Sequence, residues 1–159
     1  EYEATGLVVS EGRAYGTSHR ALAGMFAVLP GGRVELRWLT TAPYDSNEMV
    51  VAAVQSFPVL VKPGGVMGFP ADADDGWPAR RTVVALDREG RLLFIVAPRG
   101  YLGLHDLACW LVESDLGIDV ALNLDGGQST GIALAAQGRE LTFNSLVPVP
   151  AVIVVERRP

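Results

Sequence analysis

The sequence predicts one α+β domain, a β-rich twisted mixed sheet with one main helix, and three observations predict it. Many short apolar or alternating runs are separated by turns of Gly, Pro, Asp and Asn. A single segment, about 104–116, repeats its apolar residues at helical spacing. No internal repeat, low-complexity tract or linker divides the 159 residues, so one domain over 1–159 is expected. A domain of this size buries about 70% of its unfolded surface. A content of 49% apolar and 19% charged residues fits a filled core and argues against disorder.

Gly6 to Ser10 reads as a first strand, turned by Ser10-Glu11-Gly12. Met25 to Leu29 and Val34 to Trp38 flank Pro30-Gly31-Gly32-Arg33, a hairpin signature. In the second arm Val34, Leu36 and Trp38 alternate with Glu35 and Arg37, giving one buried and one wet face. Asp45-Ser46-Asn47-Glu48 has the spacing of a capping box and predicts a short helix over about 47–55. Beyond Pro58, Val59 to Val61 resumes as strand. From Gly64 to Pro78 the composition shifts to Gly, Pro and Asp, which predicts a long functional or mobile loop. Thr82 to Leu86 and Leu92 to Ala97 form a second hairpin around Asp87-Arg88-Glu89-Gly90. Leu104, Leu107, Ala108, Leu111 and Leu116 mark the main helix, with Gly117 as its stop. Strands follow at Val120 to Leu124, near Ile132 to Ala135, and at Val152 to Glu156.

Several function classes are excluded by what the chain lacks. The net charge of −5 is dispersed, and no basic stripe with interleaved aromatics marks a nucleic-acid footprint. The terminal Arg157-Arg158 pair reads as a solvated tail. A single cysteine, Cys109, excludes an intrachain disulfide, and its apolar helical surroundings make it a structural thiol. His19 and His105 have no paired cysteine and no H-E-x-x-H spacing, so a zinc site is not expected, and His105 is read as a surface residue. Asp72, Asp74 and Asp75 with Gly76 lack calcium-loop spacing and a downstream glutamate, and read as a solvated acidic loop. Neither a cofactor nor a required metal is predicted. No apolar run approaches the roughly 18 residues that span a membrane. The chain opens on Glu1 rather than Met, the mark of a processed form or an excised fragment.

Chemistry concentrates in Ala121-Leu122-Asn123-Leu124-Asp125-Gly126-Gly127-Gln128-Ser129-Thr130-Gly131. An apolar run with strand character ends in a carboxylate, two glycines and small polar side chains. Asn123 stands one pleat before Asp125, on the same strand face. The glycines remove every Cβ from the turn, so a ligand can approach the backbone amides. Asp125, at a partly buried strand end, suits a nucleophile, a general acid or base, or a metal ligand; a turn aspartate is the plainer alternative. Ser129 and Thr130 can donate to a substrate oxygen or bond the turn itself. Ser129 lies in no G-x-S-x-G elbow, so a serine triad is not supported. Arg80-Arg81-Thr82 forms the second constellation. Adjacent arginines on a strand point to opposite faces, and one at the core edge needs an anion or a carboxylate partner. The plainer alternative is a salt bridge to the acidic loop.

Taken together these blocks resemble the phosphodiester glycosidase domain, the family of the lysosomal uncovering enzyme and many bacterial relatives. The resemblance runs in order through Gly6 to Gly12, Gln55 to Val61, Ala79 to Asp87, Leu104 to Leu111 and Ala121 to Thr130. It implies hydrolysis of a sugar from a phosphodiester at the anomeric carbon, with a small or polymeric phosphosugar as substrate. It also implies an extracellular or cell-envelope setting and a link to exopolysaccharides, as in bacterial members. Matched position by position, Arg81, Asn123 and Asp125 fall on the catalytic block. Gly126, Gly127, Gln128, Ser129 and Thr130 fall on the substrate-binding block. Two departures stand out. Gln128 replaces the usual third glycine, and the family's upstream block, with an asparagine and glycines before an aromatic pair, would precede Gly6. A non-catalytic glycan- or phosphosugar-binding module is therefore the alternative, with a purely structural envelope domain as a third.

Overall fold

Two five-stranded sheets share a core, and the strand that ends in the site block runs through the middle of one of them. The computed structural model describes residues 4–156; Arg157-Arg158 lies outside the described residues. The first sheet holds β1 (Val8–Ser10), β2 (Arg13–Tyr15), β3 (Gly24–Val28), β4 (Val34–Trp38) and β5 (Ala52–Ser56), in the order β2-β1-β5-β3-β4. The second holds β6 (Val59–Lys62), β7 (Val66–Met67), β8 (Ala79–Asp87), β9 (Leu92–Leu102) and β10 (Ile118–Leu124), in the order β7-β6-β10-β8-β9. Helix α1 (Leu104–Glu113) lies on the second sheet, and β11 (Ile132–Ala136) pairs with β12 (Arg139–Phe143) as a separate hairpin. Every pairing is antiparallel, which corrects the expected mixed sheet.

The apolar residues sort into three layers. Leu60, Val61, Val83, Ala85 and Ala121 meet Leu107, Ala108 and Leu111 of α1. Phe26, Leu36, Val59, Val84, Val120 and Leu122 fill the space between the sheets. Leu7, Val9, Met25, Ala27 and Ala53 pack under Leu29, Val50, Leu39 and Tyr44. β10 is thus covered on both faces, which is why it reads as a continuous apolar run and not as an alternating one. At Gly24 the sheets meet so closely that a Cβ would lie 2.6 Å from Leu122 Cδ2.

Several expected elements keep their place with altered ends. β4 has the predicted bounds, and α1 starts at Leu104 but stops at Glu113, where Ser114 caps it by donating its N–H to the Trp110 carbonyl. The β8–β9 hairpin is longer than predicted. Its turn is closed by Asp87, whose Oδ1 accepts from Glu89 N (2.9 Å) and Arg91 N (2.8 Å).

Two expectations are overturned. The helix over 47–55 is absent, and its second half is strand β5. Half of the capping box forms: Glu48 Oε1 accepts from Asp45 N (3.2 Å), whereas Asp45 Oδ1 accepts from Asn47 N (2.8 Å) and the Glu48 N–H goes to the Asp45 carbonyl (3.0 Å). The chain then extends because Ala52–Ser56 pairs with β1 on one side and β3 on the other. Gln55 points inward, its Oε1 accepting from Leu7 N and His19 N, both at 2.9 Å. The strand at Val152 to Glu156 is also absent; residues 151–156 are irregular, and Ile153 packs against the inter-sheet core. The long loop after Gly64 contains β7 and a 3-10 turn at Ala71–Ala73, and its Phe69 is buried. No helix among the described residues is long and apolar enough to cross a membrane.

Candidate active site

Strand register brings the two predicted constellations together. β10 runs antiparallel to β8 with Asn123 opposite Val83 and Leu124 opposite Thr82. The ladder ends there, and the next residues of the two strands are Asp125 and Arg81. The close approach continues into the turn, where a Cβ on Gly126 would lie 2.8 Å from the Arg80 carbonyl oxygen and 3.8 Å from Arg81 Cα. Only glycine fits there. Gly127 has φ +58° and opens a 3-10 turn through Ser129, closed by Ser129 N–H to the Gly126 carbonyl (3.1 Å). The Leu146 N–H donates to the Gln128 carbonyl (2.7 Å), which pins the turn from outside.

The arginines do point to opposite faces. Arg81 shares the α1 side with Val83 and Ala85, whereas Arg80 lies with Thr82 on the other. Neither forms an ion pair among the described residues, so the expected salt bridge to the acidic loop is not made. Arg80 Nη2 donates to the carbonyls of Thr130 (2.8 Å) and Asn144 (2.9 Å), and its guanidinium stacks 4.3 Å from the Phe143 ring centroid. Its Nε is buried without a partner. Arg80 therefore fastens the β11–β12 hairpin to the sheet. Arg81 Nε donates to the Leu102 carbonyl (3.0 Å) and Nη2 to the Trp77 carbonyl (2.7 Å). A guanidinium has five N–H donors, so Arg81 is fixed in place with about three of them unspent.

Asp125 is exposed, which corrects the expectation of a partly buried carboxylate; among the described residues nothing hydrogen-bonds to it. Asn123 is buried. Its Nδ2 donates to the Phe57 carbonyl and its N–H to that of Pro58, each at 3.0 Å. The Ser56 hydroxyl donates to the Asn123 carbonyl. Asn123 thus braces the β5–β6 connection, including its cis Phe57–Pro58 peptide, while its buried Oδ1 has no partner. Gln128 is exposed and Ser129 half-buried. The Thr130 hydroxyl, expected to be available to a substrate, is instead fully buried and accepts from Thr82 Oγ1 at 3.2 Å.

Sequence reasoning missed two residues beside Arg81. Asp74, read as part of a solvated loop, caps α1. Its Oδ2 accepts from His105 N (2.8 Å) and Oδ1 from Gly76 N (3.1 Å). The His105 N–H, then the Gly76 N–H and the charge of Arg81, hold the Asp74 carboxyl below its ordinary value against the opposing effect of burial. Gly103 before α1 offers no side-chain cap, and that gap was the available signal. His105 is half-buried and not a surface residue; its Nδ1 lies 3.0 Å from the Phe69 carbonyl and its Nε2 3.4 Å from Cys109 Sγ. Cys109 is itself half-buried. Trp77, unremarked in the sequence, donates its N–H to Asp75 Oδ1 (2.9 Å) and is 73% exposed. A broad depression of about 670 Å³ lined by Val9, Glu11, Tyr44, Glu48 and Met49 contains none of these residues and lies on the first sheet.

Among solved structures the chain is similar to that of a hypothetical protein from Synechocystis, with 21% identity and a TM-score of 0.41. That likeness covers 75% of this chain and 30% of the other. Comparison with curated proteins finds no match. A sequence profile described as phosphodiester glycosidase matches residues 1–156. The chain, whose β10 ends in Asn123-Leu124-Asp125-Gly126-Gly127 beside Arg81, therefore belongs to the phosphodiester glycosidase family.

Proposed function

We propose that this domain hydrolyses a sugar 1-phosphodiester at the anomeric carbon, releasing the free sugar and a phosphomonoester. The observation that supports the reading is the register of β10 on β8, which ends with Leu124 opposite Thr82 and so leads into Asp125 near Arg81, beside Gly126, where a Cβ would lie 2.8 Å from the Arg80 carbonyl oxygen. In this reading the spare N–H groups of Arg81 bind the phosphate and stabilise it as it departs with the bonding electrons. The N–H groups of Gly126 and Gly127, which the turn's closing bonds do not use, supply further donors. Asp125 stabilises the positive charge that develops at the anomeric carbon, or activates the attacking water. Asn123 holds the strand end, Gln128 and Ser129 line the approach, and Thr130 supports the turn from within. A phosphate is a far better leaving group than a sugar alkoxide, so an arginine clamp lessens the need for a general acid. We propose an extracellular or cell-envelope setting and a surface phosphoglycan as the source of substrate.

A second reading, a binding module without turnover, is favoured by one observation: Asp125 is exposed and unbraced. The test is release of N-acetylglucosamine from its α-linked phosphodiester by the native chain and by Asp125→Asn. Release by the native chain that falls at least a hundredfold in the variant supports hydrolysis. Equal kcat in both overturns the role of Asp125. Saturable binding with no release from the native chain moves the assignment to the binding module.

A further inference from the structure

We infer that Trp77 is the stacking platform for the sugar ring of the phosphosugar whose phosphate is held at Arg81, an inference that rests on the proposed anion site. An exposed tryptophan alone signifies little. Trp77 differs in being 73% exposed while its backbone is fixed at both ends, the N–H to Asp75 Oδ1 (2.9 Å) and the carbonyl to Arg81 Nη2 (2.7 Å). Asp75 thereby fixes the start of the residue and Arg81 its end, and Pro78 stiffens the exit. The indole springs from a Cα two bonds from the oxygen that Arg81 grips, so ring and guanidinium stand within one ligand's reach. The other carbonyl held by Arg81 belongs to Leu102, and the preceding residue, Tyr101, is 78% exposed. A fixed cation beside an exposed tryptophan matches an anion joined to an amphipathic ring. The phosphate takes the N–H donors, and the C–H face of a pyranose lies on the indole. This rigid arrangement lowers the ordering cost of binding.

Titrations of the 15N-labelled chain with inorganic phosphate, with N-acetylglucosamine 1-phosphate and with uridine monophosphate test the inference. The indole N–H signals of its three tryptophans, Trp38, Trp77 and Trp110, are followed. The sugar phosphate is expected to bind roughly tenfold tighter than phosphate and to shift the Trp77 signal. Trp77→Ala should erase that advantage without changing phosphate affinity, and Trp77→Phe should restore most of it. The Trp38 and Trp110 signals report that each variant is folded. Phosphate binding with no Trp77-dependent gain from the sugar overturns the platform and leaves the anion site standing. Equal weakening of both ligands by Trp77→Ala also overturns it, because Trp77 then acts only by holding Arg81. A larger Trp77-dependent gain for the nucleotide than for the sugar reassigns the platform to a base and overturns the sugar inference. Failure of every ligand to bind the native chain overturns the anion site and the platform together.

Discussion

Replacing Gly126 by alanine tests whether the site depends on the closeness of β10 and β8. The added Cβ would lie 2.8 Å from the Arg80 carbonyl oxygen. That oxygen belongs to main chain at the bulge of β8, where the Arg80 guanidinium is anchored to the Thr130 and Asn144 carbonyls, so relief requires the backbone of the turn or of the strand to shift. Restoring an ordinary separation of about 3.5 Å requires the turn to move by about 0.7 Å. Because φ is −122° at Gly126, alanine meets no left-handed strain, and the penalty is purely steric. Overpacking of this kind costs about 1–3 kcal/mol. With a loss of about 2–4 °C per kcal/mol, the midpoint of thermal unfolding should fall by about 2–12 °C. The same displacement moves Asp125 relative to Arg81 and should lower kcat/KM on the phosphodiester by on the order of a hundredfold. Gly138→Ala in the β11–β12 turn is the matched control. It has φ +72° with nothing within 4 Å of the added Cβ, so it costs about 1–2 kcal/mol through strain alone, away from the site. Circular dichroism melts and sugar release read the two variants side by side. Native turnover with an undisturbed melt in Gly126→Ala would refute the reasoning, as would an equal loss of turnover in Gly138→Ala.

Arg80→Met removes the bonds to the Thr130 and Asn144 carbonyls and the stacking on Phe143. Hydrogen exchange should quicken across β11 and β12 while the β8–β10 ladder keeps its protection. Gln55→Ala leaves the N–H groups of Leu7 and His19 without their shared acceptor, and only the first is deeply buried. Urea unfolding should show a loss of about 2 kcal/mol with an unchanged slope. Burial of Asp87 opposes its ionisation, but the Arg91 guanidinium and the N–H groups of Arg91 and Glu89 outweigh it and lower its pKa. A depressed folded value stabilises the protein above the unfolded carboxylate pKa of about 3.9, and that stability disappears as pH falls through the folded value. Asp87→Asn should therefore lower stability at neutral pH and flatten the acid limb of the stability curve, as measured by melts between neutral pH and about pH 2.

How much was legible depended on whether a residue's role was set by its neighbours in sequence. β4 was readable because Val34, Leu36 and Trp38 alternate with charged residues, and α1 because its leucines recur at helical spacing. The segment 47–55 misled because Asp45 and Glu48 do bond one another locally, whereas the choice of strand is imposed by β1 and β3, more than twenty residues away in the chain. Val152 to Glu156 has strand composition, but among the described residues no partner strand pairs with it. In the site, the Asn-Leu-Asp-Gly-Gly block and the arginine pair were visible as types. Their division of labour was not. Arg80 turns structural because Phe143 and the carbonyls of Thr130 and Asn144 happen to meet it. Thr130 is buried because Thr82 lies beneath it, and Asp74 caps a helix some thirty residues downstream.

The covering of β10 on both faces has a consequence for how such domains diversify. Substitutions inside β10 disturb two cores at once, so that strand has little freedom to vary. Trp77, Tyr101 and Gln128 are bound to the framework through their own or neighbouring main-chain atoms, and their side chains face solvent. Exchanging those side chains leaves both hydrophobic layers intact. A laboratory library confined to these three positions would therefore sample new ligand preferences on an unchanged scaffold, with soluble yield insensitive to the choices made.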